Sequence, residues 1–331
     1  MPPEFVPSCL LMEMWLPDIT LQRASLMHTV QTSKTRWLLY GLWLATSIAF
    51  FWQPLTDLVH FAIKNDNASH VVLIPFLSAW VLFQERKEIC PSSSYDFPAA
   101  CAPFFLAIFL GTWAFRQAAN WSLGHRLTVY TLALVLVWIS GFAFLFGRVA
   151  LNSRRFAFLF LLLTVPLPEF LLNHVIFSLQ KVSTELTAAL FDLLGVPYLR
   201  EGFVFYLAHV SIVVAHECSG IRSSMALFIL ALLVGHFVLR AFWRQSAFLL
   251  FGIFAMIAKN AVRIVTLTLL ASYVDPQFLY GNLHRDGGVV FFMLALLMLL
   301  PILWLLQRGE KPRRGGAVPP TLKAPEKTPG A

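Results

Sequence analysis

The feature that most limits what this chain can fold into is a series of apolar runs, each close to bilayer-crossing length. A helix of about 20 apolar residues covers the roughly 30 Å of hydrocarbon in a bilayer. Eight such runs can be marked: 37–53, 70–84, 99–116, 127–147, one from 156 that breaks at Pro166 and Pro168, 219–239, 246–273 and 288–306. In lipid every backbone N–H and C=O must be satisfied by the protein itself, and a helix does this within one segment. The expected fold class is an all-α polytopic membrane protein with about eight transmembrane helices. Composition points the same way. The 331 residues are 58% hydrophobic and only 13% charged, with a mean hydropathy of +0.71, whereas a soluble domain is about 25% charged.

The net charge of +8 would suggest nucleic acid in a soluble protein. In a polytopic chain it marks loops instead, so no nucleic-acid partner is expected. Arg23, Lys34 and Arg36 precede the first run, and Arg86 and Lys87 follow the second. Arg148, Arg154 and Arg155 follow the fourth, and Arg240 and Arg244 follow the sixth. Arg308, Lys311, Arg313 and Arg314 follow the eighth. With eight spans all of these fall on one side, which the positive-inside rule makes the cytoplasm, and both termini lie there. The opposite loops hold fewer cations: Lys64, Arg116, Arg126, Lys181, Arg200 and Arg285. Three stretches follow: an N-terminal cytoplasmic segment (1–36), a transmembrane domain (37–306) and a disordered basic cytoplasmic tail (307–331) rich in Pro, Gly and Lys.

Between the fifth and sixth runs the chain is longest outside the membrane. EFLLNHVIFSLQKVSTELTAALFDLLG, from Glu169, has apolar residues at helical spacing with Gln180, Lys181, Glu185 and Asp192 interspersed. It predicts an amphipathic helix on the outer face, ended by Gly195. β-branched and aromatic residues around Arg200-Glu201-Gly202 then predict a short hairpin. That hairpin delivers the chain to HECSGIRSS, residues 216–224.

Of the four cysteines (Cys9, Cys90, Cys101 and Cys218), none forms a CxxC pair, so neither a metal site nor a disulfide framework is expected. Cys218 differs from the others in its setting. It opens the sixth run, where a helix N-terminus lowers a thiol's pKa, and Arg222 lies one turn further on the same face. The seventh run holds Lys259, Asn260 and Arg263 in an otherwise apolar stretch. An intramembrane cation is expensive, and its default reading is a site. Arg263 is 17 residues past 246, roughly 26 Å along a helix, which sets it level with Cys218. His284, in the loop GNLHRDGG before the last run, reaches the same face. A thiol nucleophile, a cation and a proton carrier are the parts that acyl transfer by cysteine requires. A serine reading through Ser219, Ser223 or Ser224 lacks the GxSxG turn.

ECSGIRSS, then NAVRI, then His284 followed by GG, resemble the exosortase/archaeosortase family. SHVVLIPFLSAW, VPLPEFL and LLGVPYLREG resemble its earlier segments in order and spacing, so the likeness covers about residues 40–305. The resemblance implies a polytopic cysteine protease or transpeptidase of the bacterial inner membrane, without cofactor or metal. Its partners would be membrane-tailed exported proteins with a C-terminal sorting signal of the PEP-CTERM type. The acceptor of the cleaved chain, whether water, an amine, a component of an exopolysaccharide or a lipid, is left open. The family's triad falls on Cys218, Arg263 and His284, with Asn260 and Arg222 in support. His216 and Glu217 stand beside the cysteine where many members carry a small residue, which marks a subgroup. Two other classes stay in view. A transporter or flippase predicts paired broken spans in matching halves, and no internal repeat is present. A non-catalytic component of an exopolysaccharide system is the second.

Overall fold

A computed structural model describes residues 19–86, 89, 95–214, 221–279 and 288–308, with residues 19–33 given as backbone only. Ten helices run along the described chain: α1 (Ile19–Phe50), α2 (Trp52–Lys64), α3 (Ile74–Gln84), α4 (Phe97–Arg116), α5 (Leu123–Ser153), α6 (Arg155–Leu161), α7 (Glu169–Leu193), α8 (Ile221–Val238), α9 (Phe242–Tyr273) and α10 (Gly288–Arg308). Three short 3-10 turns link them, and a small sheet, β1 (Leu199–Glu201), β2 (Val204–Tyr206) and β3 (Ser211–Val213), lies between α7 and α8.

Among the described residues, five segments are long and apolar enough to cross a membrane: Asn67–Gln84, α4, α5, α9 and α10. The number is seven if each of two bent pairs counts as one span, namely Lys34–Phe50 with α2 (76° apart) and Arg155–Thr164 with α7 (95° apart). The sixth expected span is α8, a shorter apolar helix. Large apolar side chains such as Phe50, Phe76, Phe105, Phe115, Phe242 and Leu297 are exposed. In a bundle surrounded by lipid tails this is the low-energy arrangement, because the tails are as apolar as the core.

Local chemistry explains several boundaries. Asp96 caps α4, its side chain accepting from Ala99 N–H at 3.2 Å. Its other oxygen accepts from Arg148 N–H at 2.9 Å, a donor freed where Gly147 breaks α5 with φ 85°. Pro166 and Pro168 cannot continue a helix, and the chain turns there into α7, with Glu169 in its first turn. At the other end Gly195 takes φ 66°, Val196 N–H bonds Phe191 O and Gly195 N–H bonds Asp192 O. This pattern satisfies the last carbonyls of α7 and stops it.

The sequence led us to expect one hairpin, and the structure has three antiparallel strands in the order β1-β2-β3. Gly202, at φ 61°, opens the two-residue turn between β1 and β2, a position that favours a residue free to take positive φ. Phe205 of β2 is fully buried. It packs with Phe191, Ile212, Val214, Ile264 and Val265, so the sheet is seated on α7 and α9.

Residues of several basic loops make contacts with neighbouring helices. Glu85, at the end of α3, binds Arg154 (3.1 Å) and His236 of α8 (3.0 Å), and His236 stacks on Phe156. Arg36 donates to Leu145 O, and Arg244 to Leu306 O, both at 2.9 Å.

Candidate active site

The described part of the site is the seam where α7, α8 and α9 meet. Helix α7 is amphipathic in an inverted sense. Phe170, Leu171, Phe177 and Val182 are exposed, while Gln180, Ser183, Thr184 and Thr187 are buried. These four polar residues recur at i, i+3, i+4 and i+7, one helical stripe. The stripe faces protein and the apolar side faces out. Thr184 and Thr187 return their hydroxyls to the carbonyls four residues back, each at 2.8 Å, which satisfies them locally. Gln180 and Ser183 reach outward instead.

Ser183 Oγ accepts from Asn260 Nδ2 of α9 at 3.1 Å. Gln180 Nε2 donates to the carbonyl of Val214, at the end of β3. Lys259 Nζ donates to Ser223 Oγ, in the first turn of α8. Lys259 is 3% and Asn260 2% exposed, so these bonds form away from solvent, where an unmade one costs most. Gln180 Oε1 and Asn260 Oδ1 are buried and accept no hydrogen bond among the described residues.

Arg263 follows Asn260 by three residues and Lys259 by four, so all three share one face of α9. The next two residues, Ile264 and Val265, belong to the core beneath the sheet. Position 263 on α9 therefore lies between the polar seam and the core beneath the sheet. Helix α9 begins at Phe242, four residues before the expected start. That puts Arg263 roughly 32 Å along the helix axis, and the helix continues to Tyr273.

Of the residues predicted for catalysis, Arg263 and Asn260 are thus described, and Asn260 bonds Ser183. The backbone of Arg222 is in the first turn of α8, while its side chain lies outside the described residues. Cys218, His216, Glu217 and His284 also lie outside them. In sequence Cys218 falls between Val214 and Ile221, and His284 between Leu279 and Gly288. Both described neighbours of the cysteine segment are tied down by the seam: Val214 through Gln180, and the start of α8 through Lys259 and Ser223. Sequence reasoning did not single out Gln180, Ser183 or Ser223 as partners. The four-residue stripe on α7 was the available signal. Among the described residues no group of three or more His, Cys, Asp or Glu could hold a metal ion.

Residues 56–301, most of the chain, match the family described as transmembrane exosortase. The chain belongs to that family. No curated protein and no solved structure matches it. The match runs from α2 into α10, so it takes in the whole α7–α9 seam and every residue predicted for the site. Exosortases are membrane-embedded sorting enzymes that act on exported proteins carrying sorting signals, and as a family they are cysteine transpeptidases or proteases. This exosortase-family protein is accordingly multi-pass, with several apolar helices.

Proposed function

We propose that this exosortase-family protein cleaves C-terminal sorting signals of the PEP-CTERM type through a Cys218 thioester. It would sit in the bacterial inner membrane as eight spans, with α8 as the sixth, both termini in the cytoplasm and the site facing outward. The Cys218 thiolate attacks the scissile carbonyl, forming a C–S bond and a tetrahedral oxyanion. Arg263 stabilises the thiolate and then the oxyanion. His284 gives its proton to the departing amine as the C–N bond breaks, leaving a thioester. It then takes a proton from the second nucleophile, whether water or an amine, which attacks the thioester and frees the thiol. Arg222 tunes the thiol, Asn260 supports Arg263 from the α7 side, and His216 and Glu217 adapt the site to a particular signal.

One observation carries this reading. The family match spans a buried polar seam in which α9 presents Arg263, while the two described neighbours of the cysteine segment are held to α7 and α9. The test is processing of a co-expressed membrane-tailed substrate. Cys218→Ala is expected to leave the substrate full length, and continued cutting in that variant ends the thiol mechanism. Labelling of Cys218 by a membrane-impermeant thiol reagent is expected from the outer side. Labelling from the cytoplasmic side alone would reverse the orientation.

A further inference from the structure

Ser223 and Lys259 have no part in the thiol mechanism above, yet they make the contact that nucleophilic catalysis by serine uses. Lys259 Nζ is within hydrogen-bond reach of Ser223 Oγ. As an ammonium the nitrogen donates; as a neutral amine its lone pair accepts the hydroxyl proton across the same contact. A base within hydrogen-bond reach of a hydroxyl is the arrangement that activates serine, and serine–lysine pairs are one variant of it. The GxSxG turn belongs to the α/β-hydrolase serine, whose base is histidine, and a serine–lysine pair does not need it. Lysine serves as a base where it is buried. Lys259 is buried, while Ser223 is half-buried and partly reaches the surface of the seam. Ser223 also lies in the first turn of α8. The first four N–H groups of a helix have no partner inside it, and backbone N–H groups of this kind are the usual donors to an oxyanion. Depth points to the substrate. Exposed Phe242 and Trp243 mark the start of α9, as rings do at headgroup level. Lys259 stands 17 residues further, roughly 26 Å along the helix, against about 30 Å of hydrocarbon. Ser223 opens the apolar stretch Ser223–Val238. The pair therefore lies near the edge of the hydrocarbon, at the level of the ester carbonyls of glycerolipids.

We propose that Ser223 and Lys259 form a second catalytic centre, a serine–lysine esterase acting on the acyl esters of membrane lipids. The neutral amine of Lys259 takes the hydroxyl proton as Ser223 Oγ bonds to the ester carbonyl carbon. The oxyanion collapses, the C–O bond to the glycerol breaks, and the ammonium of Lys259 gives its proton to the leaving oxygen. Water then attacks the acyl-serine, its proton passing to Lys259, and the serine is released with a free fatty acid. The net change is ester and water to acid and alcohol.

The experiment uses the full-length, detergent-purified protein carrying Cys218→Ala, so that the thiol cannot react. An alkyl fluorophosphonate is expected to label Ser223, read by peptide mass spectrometry, and vesicles of dioleoyl phosphatidylglycerol are expected to release oleic acid. Ser223→Ala is expected to abolish both. Lys259→Met removes the base and is expected to slow labelling about 100-fold. Lys259→Arg separates a base from a structural tie. A guanidinium keeps the charge and the donors but takes up no proton, so this variant is expected to be as slow as Lys259→Met. Labelling of Lys259→Arg near the parent rate overturns the proposal, since Lys259 then only holds Ser223 in place. A parent whose Ser223 takes no label overturns it outright, and label without release of oleic acid overturns the lipid as substrate. Where a Lys259 variant does not fold, the parent and Ser223→Ala still decide. Neither readout involves Cys218, so the thiol reading stands or falls separately, on processing by Cys218→Ala.

Discussion

Replacing Glu85 tests the contact that joins the ends of α3, α5 and α8. Its carboxylate holds Arg154 at 3.1 Å and His236 at 3.0 Å, with side-chain exposures of 9% for Arg154 and 19% for Glu85. Fully exposed pairs contribute about 0–1 kcal/mol, whereas removing one partner of a fully buried pair costs about 3–5 kcal/mol. At these exposures Glu85→Ala is expected to cost about 2–3 kcal/mol, including the lost bond to His236. Glu85→Gln keeps an acceptor and loses the charge, so it is expected to cost about half as much. The pH dependence has a definite sign. Burial pushes the Glu85 carboxyl up, but the bonds from His236 and Arg154 and their charges together outweigh it, and the net shift is downward. A depressed carboxyl contributes its stability in full above its ordinary value, 4.5. It loses that contribution as pH falls through the lower folded value. Unfolding in detergent at pH 7 and at stepwise lower pH measures both effects. A Glu85→Ala protein within about 0.5 kcal/mol of the parent at pH 7, or a deficit that does not shrink on acidification, refutes the reasoning.

Two further substitutions probe packing, one in the α7–α9 seam and one between α1 and α5. Gln180→Met removes the donor to Val214, whose carbonyl is buried, so a loss of about 1–3 kcal/mol is expected in detergent unfolding. Processing should fall further than that stability loss explains, because the released carbonyl ends the strand leading to Cys218. Gly141→Ala would set a Cβ 2.4 Å from Trp43 Cδ1 and Nε1, and that indole is held by its 2.9 Å bond to Val137 O. The overpacked α1–α5 contact is expected to cost about 1–3 kcal/mol, read as a lower thermal midpoint.

Much of the helical layout was legible because apolar run length is a direct consequence of bilayer thickness. What the sequence concealed has physical reasons. Helix α1 starts at Ile19, well before the first apolar run, and SLMHTVQTSKTR, with no apolar block and mostly middling helix formers, gives no signal of it. Strand β3 is as short as β1 and β2, three residues each, but the Leu207-Ala208-His209-Val210 link before it carries no Gly, Pro, Asn or Asp to mark a turn. The polar stripe of α7 was visible, yet the same spacing describes a helix wetting its polar face and one hiding it. Only the partner, α9, decides between them. Lys259 stood out as a charge in an apolar run, but its tie to Ser223 joins residues 36 positions apart. No local pattern encodes that.

Helix α9 also acts as a ruler. It is one unbroken element of 32 residues, about 48 Å long against about 30 Å of hydrocarbon. Lys259 and Arg263 stand roughly 26 and 32 Å from its Phe242 end. Their height is fixed by register along a rigid rod and cannot adjust to the lipid around it. In bilayers of shorter acyl chains the same rod must tilt or carry these cations clear of the hydrocarbon edge. Substrate processing in vesicles should therefore pass through an optimum as acyl length is varied.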